Sequence, residues 1–164
     1  MISSIRKKIL EVLEKDARLT PREAAILLSE DENLVAGEIA AMEAEGIILG
    51  YKTIVNPERV RDDKVACLIE VSVQPERGHG FDKIAERIYR FPEVRSVYLV
   101  SGGYDLLIVI EGQSLREIAD FVIEKLSVLP NVRSTASHFL LKKYKELGTI
   151  LVESDGQERI PVSP

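Results

Sequence analysis

A polar turn, Ser101-Gly102-Gly103-Tyr104-Asp105, carries the residue types that can recognise a small polar ligand or the backbone of a partner. A phenol and a carboxylate follow two glycines, whose backbone amides are not shielded by side chains. Apolar runs of strand length, 97–100 and 106–110, flank this turn. Paired glycines between such runs predict a hairpin, because glycine reaches positive φ without steric cost. The alternative interpretation is a plain hairpin with a surface Asp105 and a half-buried Tyr104.

The composition narrows the classes of protein to consider. The chain has 164 residues, 30% charged and 45% hydrophobic, which is enough for one domain or two small globular ones. The net charge of −5 gives no overall attraction to phosphate, so contact with DNA requires a local basic patch. The single cysteine, Cys67, rules out an intramolecular disulfide and fits a reducing cytoplasm. No apolar run reaches membrane-spanning length, and the charged N-terminus does not resemble a signal peptide, so we expect a cytoplasmic protein with no membrane partner.

Residues 1–56 have the pattern of a winged helix-turn-helix. Thr20 and Glu23 can form a capping box around Pro21 at the start of the second helix, and Gly46 is placed to end the third. The predicted elements are helices at 2–15, 21–28 and 32–45, followed by two short strands at 47–49 and 51–55 that form the wing. A charged segment without periodicity, 57–64, is interpreted as a linker.

Residues 65–145 have the order of a ferredoxin-like βαββαβ domain, so the predicted class is α+β. The predicted strands and helices lie at 65–73, 81–89, 97–100, 106–110, 115–126 and 132–141. An internal repeat supports this assignment of helices and strands. The segment Phe91-Pro92-Glu93-Val94-Arg95-Ser96 matches residues 129–134, and both segments join a helix to a strand. Residues 149–152 can add an edge strand, and the extension 146–164 is expected to be partly disordered.

The predicted sheet is apolar on both faces. Leu106, Ile108 and Ile110 alternate with Leu107 and Val109, so each face of this strand carries aliphatic side chains. A ferredoxin-like domain covers only one face with helices, and a sheet that is apolar on both faces must bury both. The simplest partner for the second face is another copy of the same chain, so we expect a two-fold homodimer packed sheet to sheet.

Three motifs in this order resemble the Lrp/AsnC, or feast/famine, transcription regulators over roughly residues 1–145. They are Ile9-Leu10 with Asp16-Ala17-Arg18-Leu19-Thr20, then Glu45-Gly46-Ile47-Ile48-Leu49-Gly50-Tyr51, and the turn 101–105. The resemblance implies a DNA-binding regulator that responds to an amino acid or related metabolite, with no enzymatic activity and no cofactor. It also implies dimers that can join into octamers.

By the same resemblance, the effector site lies at the glycine turn. The candidate residues are Gly102, Gly103, Tyr104 and Asp105, with Thr135 on the fourth strand as a further candidate. Backbone amides at a glycine turn suit an effector carboxylate. Asp105 suits an α-ammonium group, or it only braces the turn, and the sequence leaves both roles open.

The third helix departs from the family, because residues 31–45 contain five acidic side chains and no Lys or Arg. Asn33 is the base-reading residue type in this segment, and Arg6, Arg22 and Lys52 are candidates for contacts to phosphate. These cations are otherwise solvated surface charges. The alternative function is therefore a metabolite-sensing or interaction module whose degenerate helix-turn-helix does not bind DNA.

A third, enzymatic alternative rests on resemblance alone. Sirohaem decarboxylases resemble this family and use histidine and basic side chains on a porphyrin. The residues available for that role are His79, His138, Arg77, Arg87, Arg95 and Arg133. Two histidines without clustered cysteines or paired carboxylates make no metal motif, so we expect no metal site.

Overall fold

The computed structural model describes residues 2–60, 64–75 and 80–152, and the chain divides between Ile54 and Val55 into two units. The first unit contains helices α1 (Ser4–Lys15), α2 (Pro21–Leu28) and α3 (Glu32–Ala44). The second contains, in order, α4 (Pro57–Val60), β1 (Val65–Val73), α5 (Asp82–Tyr89), β2 (Val94–Leu99), β3 (Leu106–Gly112), α6 (Leu115–Asp120), a π-helix (Phe121–Leu126), β4 (Val132–Phe139), β5 (Lys145–Glu146) and β6 (Thr149–Ile150).

Local capping fixes the helix-turn-helix as the sequence predicts. The Oγ1 of Thr20 accepts a hydrogen bond from the Glu23 amide at 3.2 Å, and the Thr20 amide donates to the Glu23 carboxylate at 2.8 Å. This reciprocal pair is the expected capping box. Gly46 follows α3 with φ +70°, as a glycine that ends a helix should. The three helices share one core, whose buried residues are Ile9, Leu13, Ala24, Ala25, Val35, Ile39 and Met42.

The predicted strands of the wing are not formed. Residues 47–56 contain no strand, although hairpin strands were expected at 47–49 and 51–55. A two-stranded hairpin is marginal on its own in water, and Leu49 and Tyr51 are 92% and 48% exposed, so little apolar surface would be buried by pairing these strands. The helix-turn-helix prediction is confirmed, and the hairpin prediction is wrong.

The second unit has the predicted ferredoxin-like topology. Its four-stranded antiparallel sheet has the order β2-β3-β1-β4, with the first and third strands at the centre. On β1, Ile69 pairs with Ile108 of β3 on one side and with Ser137 of β4 on the other. The two helical segments pack on the face that carries these residues, because Ile84, Ile88 and Leu126 join them in one buried cluster.

The second helix of this domain changes its winding partway along. A single helix was expected at 115–126, but α6 ends at Asp120 and a six-residue π-helix follows. This winding buries Phe121 and Leu126 against the sheet. The ring of Phe121 meets that of Phe91 edge-on, with 5.5 Å between centroids.

The opposite side of the sheet is less buried, and we call it the open face; it carries Leu68, Glu70, Tyr98, Leu107 and Val109. Cross-strand pairing places these residues on one side, since Leu68 pairs with Val109 and Leu107 pairs with Tyr98. Tyr98 is exposed, and the other four are half-buried. Leu106, Ile108 and Ile110, the helix-facing aliphatic residues of β3, are in contrast at most 1% exposed. The expected alternation of apolar residues over both faces is confirmed.

The segments on either side of the sheet domain differ from the predictions. The linker residues Pro57–Val60 form a short helix where irregular chain was expected. Residues Thr149–Ile150 pair with Lys145–Glu146 as a separate two-stranded sheet. The predicted edge strand at 149–152 is therefore wrong, because the chain pairs with its own neighbouring residues instead of extending the main sheet. Of the C-terminal extension, residues 153–164 lie outside the described part of the chain.

Candidate effector and nucleic-acid sites

The turn between β2 and β3 is fastened to β1 by Asp105. Its Oδ2 accepts a hydrogen bond from the amide of Val73 at 2.8 Å, and its own amide donates to the carbonyl of Val71 at 3.1 Å. The carbonyl of Asp105 also accepts from the amide of Val100 at 2.9 Å, which closes the turn. One carboxylate oxygen of Asp105 therefore braces the turn, and Oδ1 has no hydrogen bond to any residue that the structure describes.

The two glycines leave open space at this turn. A Cβ added at Gly102 or Gly103 would meet no atom within 4 Å, and both residues are exposed. Neither has a positive φ, so our expectation that they are needed for a left-handed backbone is wrong. The effect of the two glycines is steric, because a ligand can approach the backbone closely where there is no side chain.

Thr135 and Tyr104 lie at the same end of the sheet as the turn, and both are half-buried. Val71 on β1 pairs with Leu106 on one side and with Thr135 on the other. Thr135 is therefore two strands away from the start of β3, roughly 10 Å, and lies on the helix-facing side of the sheet. The structure groups Gly102, Gly103, Tyr104 and Asp105 in one turn and sets Thr135 beyond the neighbouring strand.

One exposed face of α3 carries only small or uncharged side chains. Asn33, Gly37, Ala40 and Ala44 are exposed and follow the 4-3-4 spacing of one helix face. Asn33 lies in the first turn of α3, where a recognition helix presents residues to base edges. The described helix supplies no cation to this face, so contacts to phosphate must come from residues outside α3.

Arg6 on α1 holds two acidic side chains of the α3 segment. Its Nε donates to Glu38, and its Nη1 and Nη2 donate to the two carboxylate oxygens of Glu45 at 2.7 and 3.0 Å. The bidentate bond to Glu45, with the bond to Glu38, raises the pKa of the Arg6 guanidinium, and Arg6 lowers the pKa of Glu45. Arg6 is thus occupied within the helix-turn-helix, with its side chain 20% exposed.

The remaining acidic residues of α3 also have local roles. Asp31 caps the helix by accepting from the amide of Leu34 at 3.0 Å, and Glu32 lies in the first turn, where the helix dipole favours a negative charge. The Glu43 carboxylate accepts a hydrogen bond from the hydroxyl of Tyr51 at 2.9 Å. Partial burial raises the pKa of the Tyr51 hydroxyl, and the hydrogen bond to Glu43 raises it further. These acidic residues therefore have local structural roles, although Asp31, Glu32 and Glu43 are themselves exposed.

The other predicted cations are exposed. Arg22 lies in the first turn of α2, and Lys52 lies in the irregular segment after α3. Neither forms an ion pair with another described residue. Both side chains can therefore contact a phosphate backbone, whereas the Arg6 guanidinium is already bound to Glu38 and Glu45.

The residues of the enzymatic alternative are not brought together. The Nε2 of His138 lies on the open face, 3.2 Å from Oε1 of Glu70. Arg95 on β2 bonds to Glu111, and Arg133 on the opposite edge strand bonds to Gln74, each at 3.0 Å. His79 and Arg77 lie outside the described residues. Across the described ranges, no group of three or more His, Cys, Asp or Glu side chains is arranged to hold a metal ion. Among the same residues, no helix is long and apolar enough to cross a membrane.

The profile of the Lrp/AsnC ligand binding domain matches residues 66–150, which include the glycine turn and all of the four-stranded sheet except Val65. The chain belongs to the Lrp/AsnC family. A relative from Bacillus subtilis strain 168, the uncharacterized HTH-type transcriptional regulator YugG, is 44% identical over 96% of this chain and 95% of its own. The proline dehydrogenase transcriptional activator of Rhodobacter capsulatus is 30% identical over 89% of this chain and 94% of its own.

Solved structures of Lrp/AsnC regulators share the fold. A transcriptional regulator from Neisseria meningitidis, in complex with L-Met, superposes with a TM-score of 0.70 at 25% identity, covering 89% of this chain and 94% of its own. The leucine response regulatory protein LrpA of Mycobacterium tuberculosis gives a TM-score of 0.73 at 22% identity, over 92% and 100% of the two chains. The resemblance read from the three motifs is thus confirmed, and this chain is a transcriptional regulator.

Sequence reasoning missed the partners of the acidic residues in this Lrp/AsnC chain. Glu38 and Glu45 are seven residues apart, which places both on one side of a helix and could have indicated a shared cation. The bond from Val73 to Asp105 joins residues 32 apart in sequence, and no local pattern indicates it.

Proposed function

We propose that this Lrp/AsnC regulator binds DNA through α2 and α3 and changes that binding when an amino acid or related metabolite occupies the glycine turn. The proposal rests on two features that occur in one chain. The first is a helix-turn-helix with a capped second helix, and the second is a sheet domain whose Gly-Gly-Tyr-Asp turn is open to a ligand and braced to β1. The relative from Neisseria meningitidis, crystallised with L-Met, supports an amino acid as the class of effector.

On the DNA side, Asn33 reads a base edge, and Arg22 and Lys52 neutralise phosphates. An asparagine side chain matches the donor and acceptor of adenine in the major groove. Arg6 acts indirectly, because its guanidinium is held by Glu38 and Glu45. It keeps two carboxylates of the α3 segment neutralised, and a free carboxylate near phosphates would weaken binding.

On the effector side, the amides of Gly102 and Gly103 bind a carboxylate, and Oδ1 of Asp105 accepts from an α-ammonium group. Tyr104 and Thr135 line the same end of the sheet and offer hydroxyl groups to the effector. The brace through Oδ2 fixes the turn before the ligand arrives, which lowers the ordering cost of binding.

A second copy of the chain covers the open face. Leu68, Leu107 and Val109 are half-buried aliphatic residues on one flat surface, and burying them against an identical face contributes to pairing in proportion to the area. The two-fold arrangement is isologous, so each residue meets the same patch of the other copy. Association of such dimers into octamers is a further step of the same proposal.

Selection of bound fragments from a genomic DNA library, with and without each standard L-amino acid, tests the function. We expect an enriched sequence whose recovery falls at higher salt and changes with one or a few amino acids. If a DNA sequence is enriched equally with and without every amino acid, the effector role is contradicted.

The second candidate function is a metabolite-sensing module whose helix-turn-helix contacts protein rather than DNA. The observation that favours it is the surface of this unit, where the exposed face of α3 carries no Lys or Arg and Ile26 and Leu27 on α2 are 69% and 62% exposed. It predicts amino acid binding without enrichment of any DNA sequence, which is the outcome that separates the two functions.

A further inference from the structure

One charged residue lies within the aliphatic part of the open face. Glu70 is on the central strand β1, where it pairs with Leu107 of β3 on one side and with Ala136 of β4 on the other. Leu68 precedes it on the same face of β1, and the side chain of Glu70 is 36% exposed. A second copy that covers Leu68 and Leu107 therefore also covers the Glu70 carboxylate.

The partner of this carboxylate is a histidine on the neighbouring strand. His138 on β4 pairs with Leu68 of β1, which places it on the open face, diagonal to Glu70. Its Nε2 lies 3.2 Å from Oε1 of Glu70, and its side chain is 56% exposed. Within the part of the chain that the structure describes, no Lys or Arg lies at ion-pair distance from Glu70. The charge that can balance Glu70 on this face is therefore that of a protonated imidazole.

The other charged groups on this side of the sheet have partners or lie farther away. Glu111 on β3 is held by Arg95 at 3.0 Å and lies 3.9 Å from Lys143. Tyr98 is on β2, three strand spacings from β4, or roughly 14 Å. Further along this side lie Lys64, the ion pair of Glu58 with Lys142, and two residues of β4 that do not titrate, Ser134 and Ala136. His138 therefore titrates chiefly against Glu70.

Pairing of two open faces changes the energetics of this contact. In a separate chain both side chains remain partly in water, where an ion pair contributes little. When a second copy covers the face, a carboxylate without a cation loses its hydration and gains nothing in return. Because the arrangement is isologous, it brings the Glu70 residues of both copies into one interface, and each copy supplies its own His138.

We infer that His138, through its contact with Glu70, makes the association of two chains depend on pH. The inference rests on the proposed function, because it requires the open faces to pair. An imidazole changes its charge between about pH 5 and pH 8. When His138 is protonated, the interface buries a neutral pair in each copy, whereas at higher pH it buries an unbalanced carboxylate in each. The dimer therefore takes up protons as it forms, and its affinity decreases as the pH rises.

Sedimentation of the full chain at several pH values and constant ionic strength tests the inference, with fluorescence detection from nanomolar to micromolar concentration. His138→Gln keeps an N–H donor but cannot titrate, and Glu70→Gln removes the carboxylate at similar size. His79→Gln, at the second of the two histidines, is the matched control. The dimer dissociation constant is measured for each chain at pH 6 and at pH 8.5.

We expect the dissociation constant to increase about tenfold or more between these pH values in the wild-type chain and in His79→Gln, and to stay nearly constant in the other two variants. At pH 8.5, Glu70→Gln should pair more tightly than the wild-type chain. Circular dichroism at each pH checks the fold, and Glu70→Gln decides alone if His138→Gln does not fold.

Two outcomes separate failure of this inference from failure of the proposed function. A wild-type dimer whose affinity is the same at both pH values, or a pH dependence that His138→Gln and Glu70→Gln retain, would overturn the inference and leave the pairing intact. A chain that is monomeric at every pH and concentration would contradict the pairing of open faces, and the inference with it.

Discussion

At the scale of single residues, Asp105 connects fold and function because its two oxygens have different surroundings. Oδ2 accepts from the amide of Val73 inside the sheet domain, whereas Oδ1 is not bonded within the described chain. Both roles that the sequence left open, bracing the turn and facing an ammonium group, are compatible with this geometry. A substitution that separates them is therefore informative.

We predict that Asp105→Ala destabilises the domain by about 1–2 kcal/mol, because the buried Val73 amide loses a charge-assisted acceptor. Asp105→Asn keeps an acceptor oxygen and should recover most of that stability, yet it loses the charge that favours an ammonium group. Urea unfolding and titration with amino acids measure the two effects. Asp120→Asn, on the exposed side of α6, is the control. Full effector binding by Asp105→Asn would show that the carboxylate only braces the turn.

We predict a second residue-scale effect at Glu93, whose hydrogen bond from Lys125 lowers its pKa below the ordinary value of 4.5. A carboxyl that is more acidic in the folded chain stabilises the fold above its unfolded pKa, and this contribution is lost as the pH falls through the folded pKa. Glu93→Gln should therefore flatten the decline in melting temperature below about pH 4.5. An unchanged acid limb of the melting curve against pH would contradict this role.

At the scale of elements, α3 shows what a sequence leaves out about a surface. Its acidic composition raised the alternative of a helix-turn-helix that does not bind DNA. The structure gives these carboxylates local partners: Glu38 and Glu45 are bound by Arg6, Glu43 by Tyr51, and Asp31 by its own helix. Helix boundaries and caps were predictable because they depend on neighbours within four residues. The ion pairs were not, since they join residues more than 30 apart in sequence.

We predict that Arg6→Gln weakens DNA binding by exposing two unpaired carboxylates rather than by removing a phosphate contact. The triple variant Arg6→Gln with Glu38→Gln and Glu45→Gln should then recover affinity, with the salt dependence of the wild-type chain. Fluorescence anisotropy at several salt concentrations measures both quantities. If the triple variant stays as weak as Arg6→Gln, and its salt slope falls by about one, Arg6 contacts phosphate directly.

The sheet domain was predictable for a different reason. Alternation along β1 and β3 fixes which side chains face the helices, and Ile69 pairs with Ile108 as that alternation requires. The glycines of the turn were located correctly, but the reason for them was wrong, as neither uses a positive φ.

At the scale of the whole molecule, we predict that one charge on the open face prevents assembly. Val109→Asp places a carboxylate at the centre of a half-buried aliphatic surface, where pairing would bury it without a partner. Light scattering after size-exclusion chromatography should give a monomer for Val109→Asp. The same exchange at Val128, which is 66% exposed and not on this face, should leave the dimer intact. A wild-type chain that is monomeric at micromolar concentration would contradict the pairing.

The central claim is that effector and DNA binding are coupled in one chain, and reciprocity makes it measurable. The most direct measurement is the affinity of the full chain for its selected genomic fragment, titrated with and without the amino acid that alters the selection. We predict an affinity that decreases steeply with salt and shifts about fivefold or more with the amino acid, with the shift lost in Asp105→Asn. An affinity for the fragment that is the same with and without the amino acid would contradict the claim.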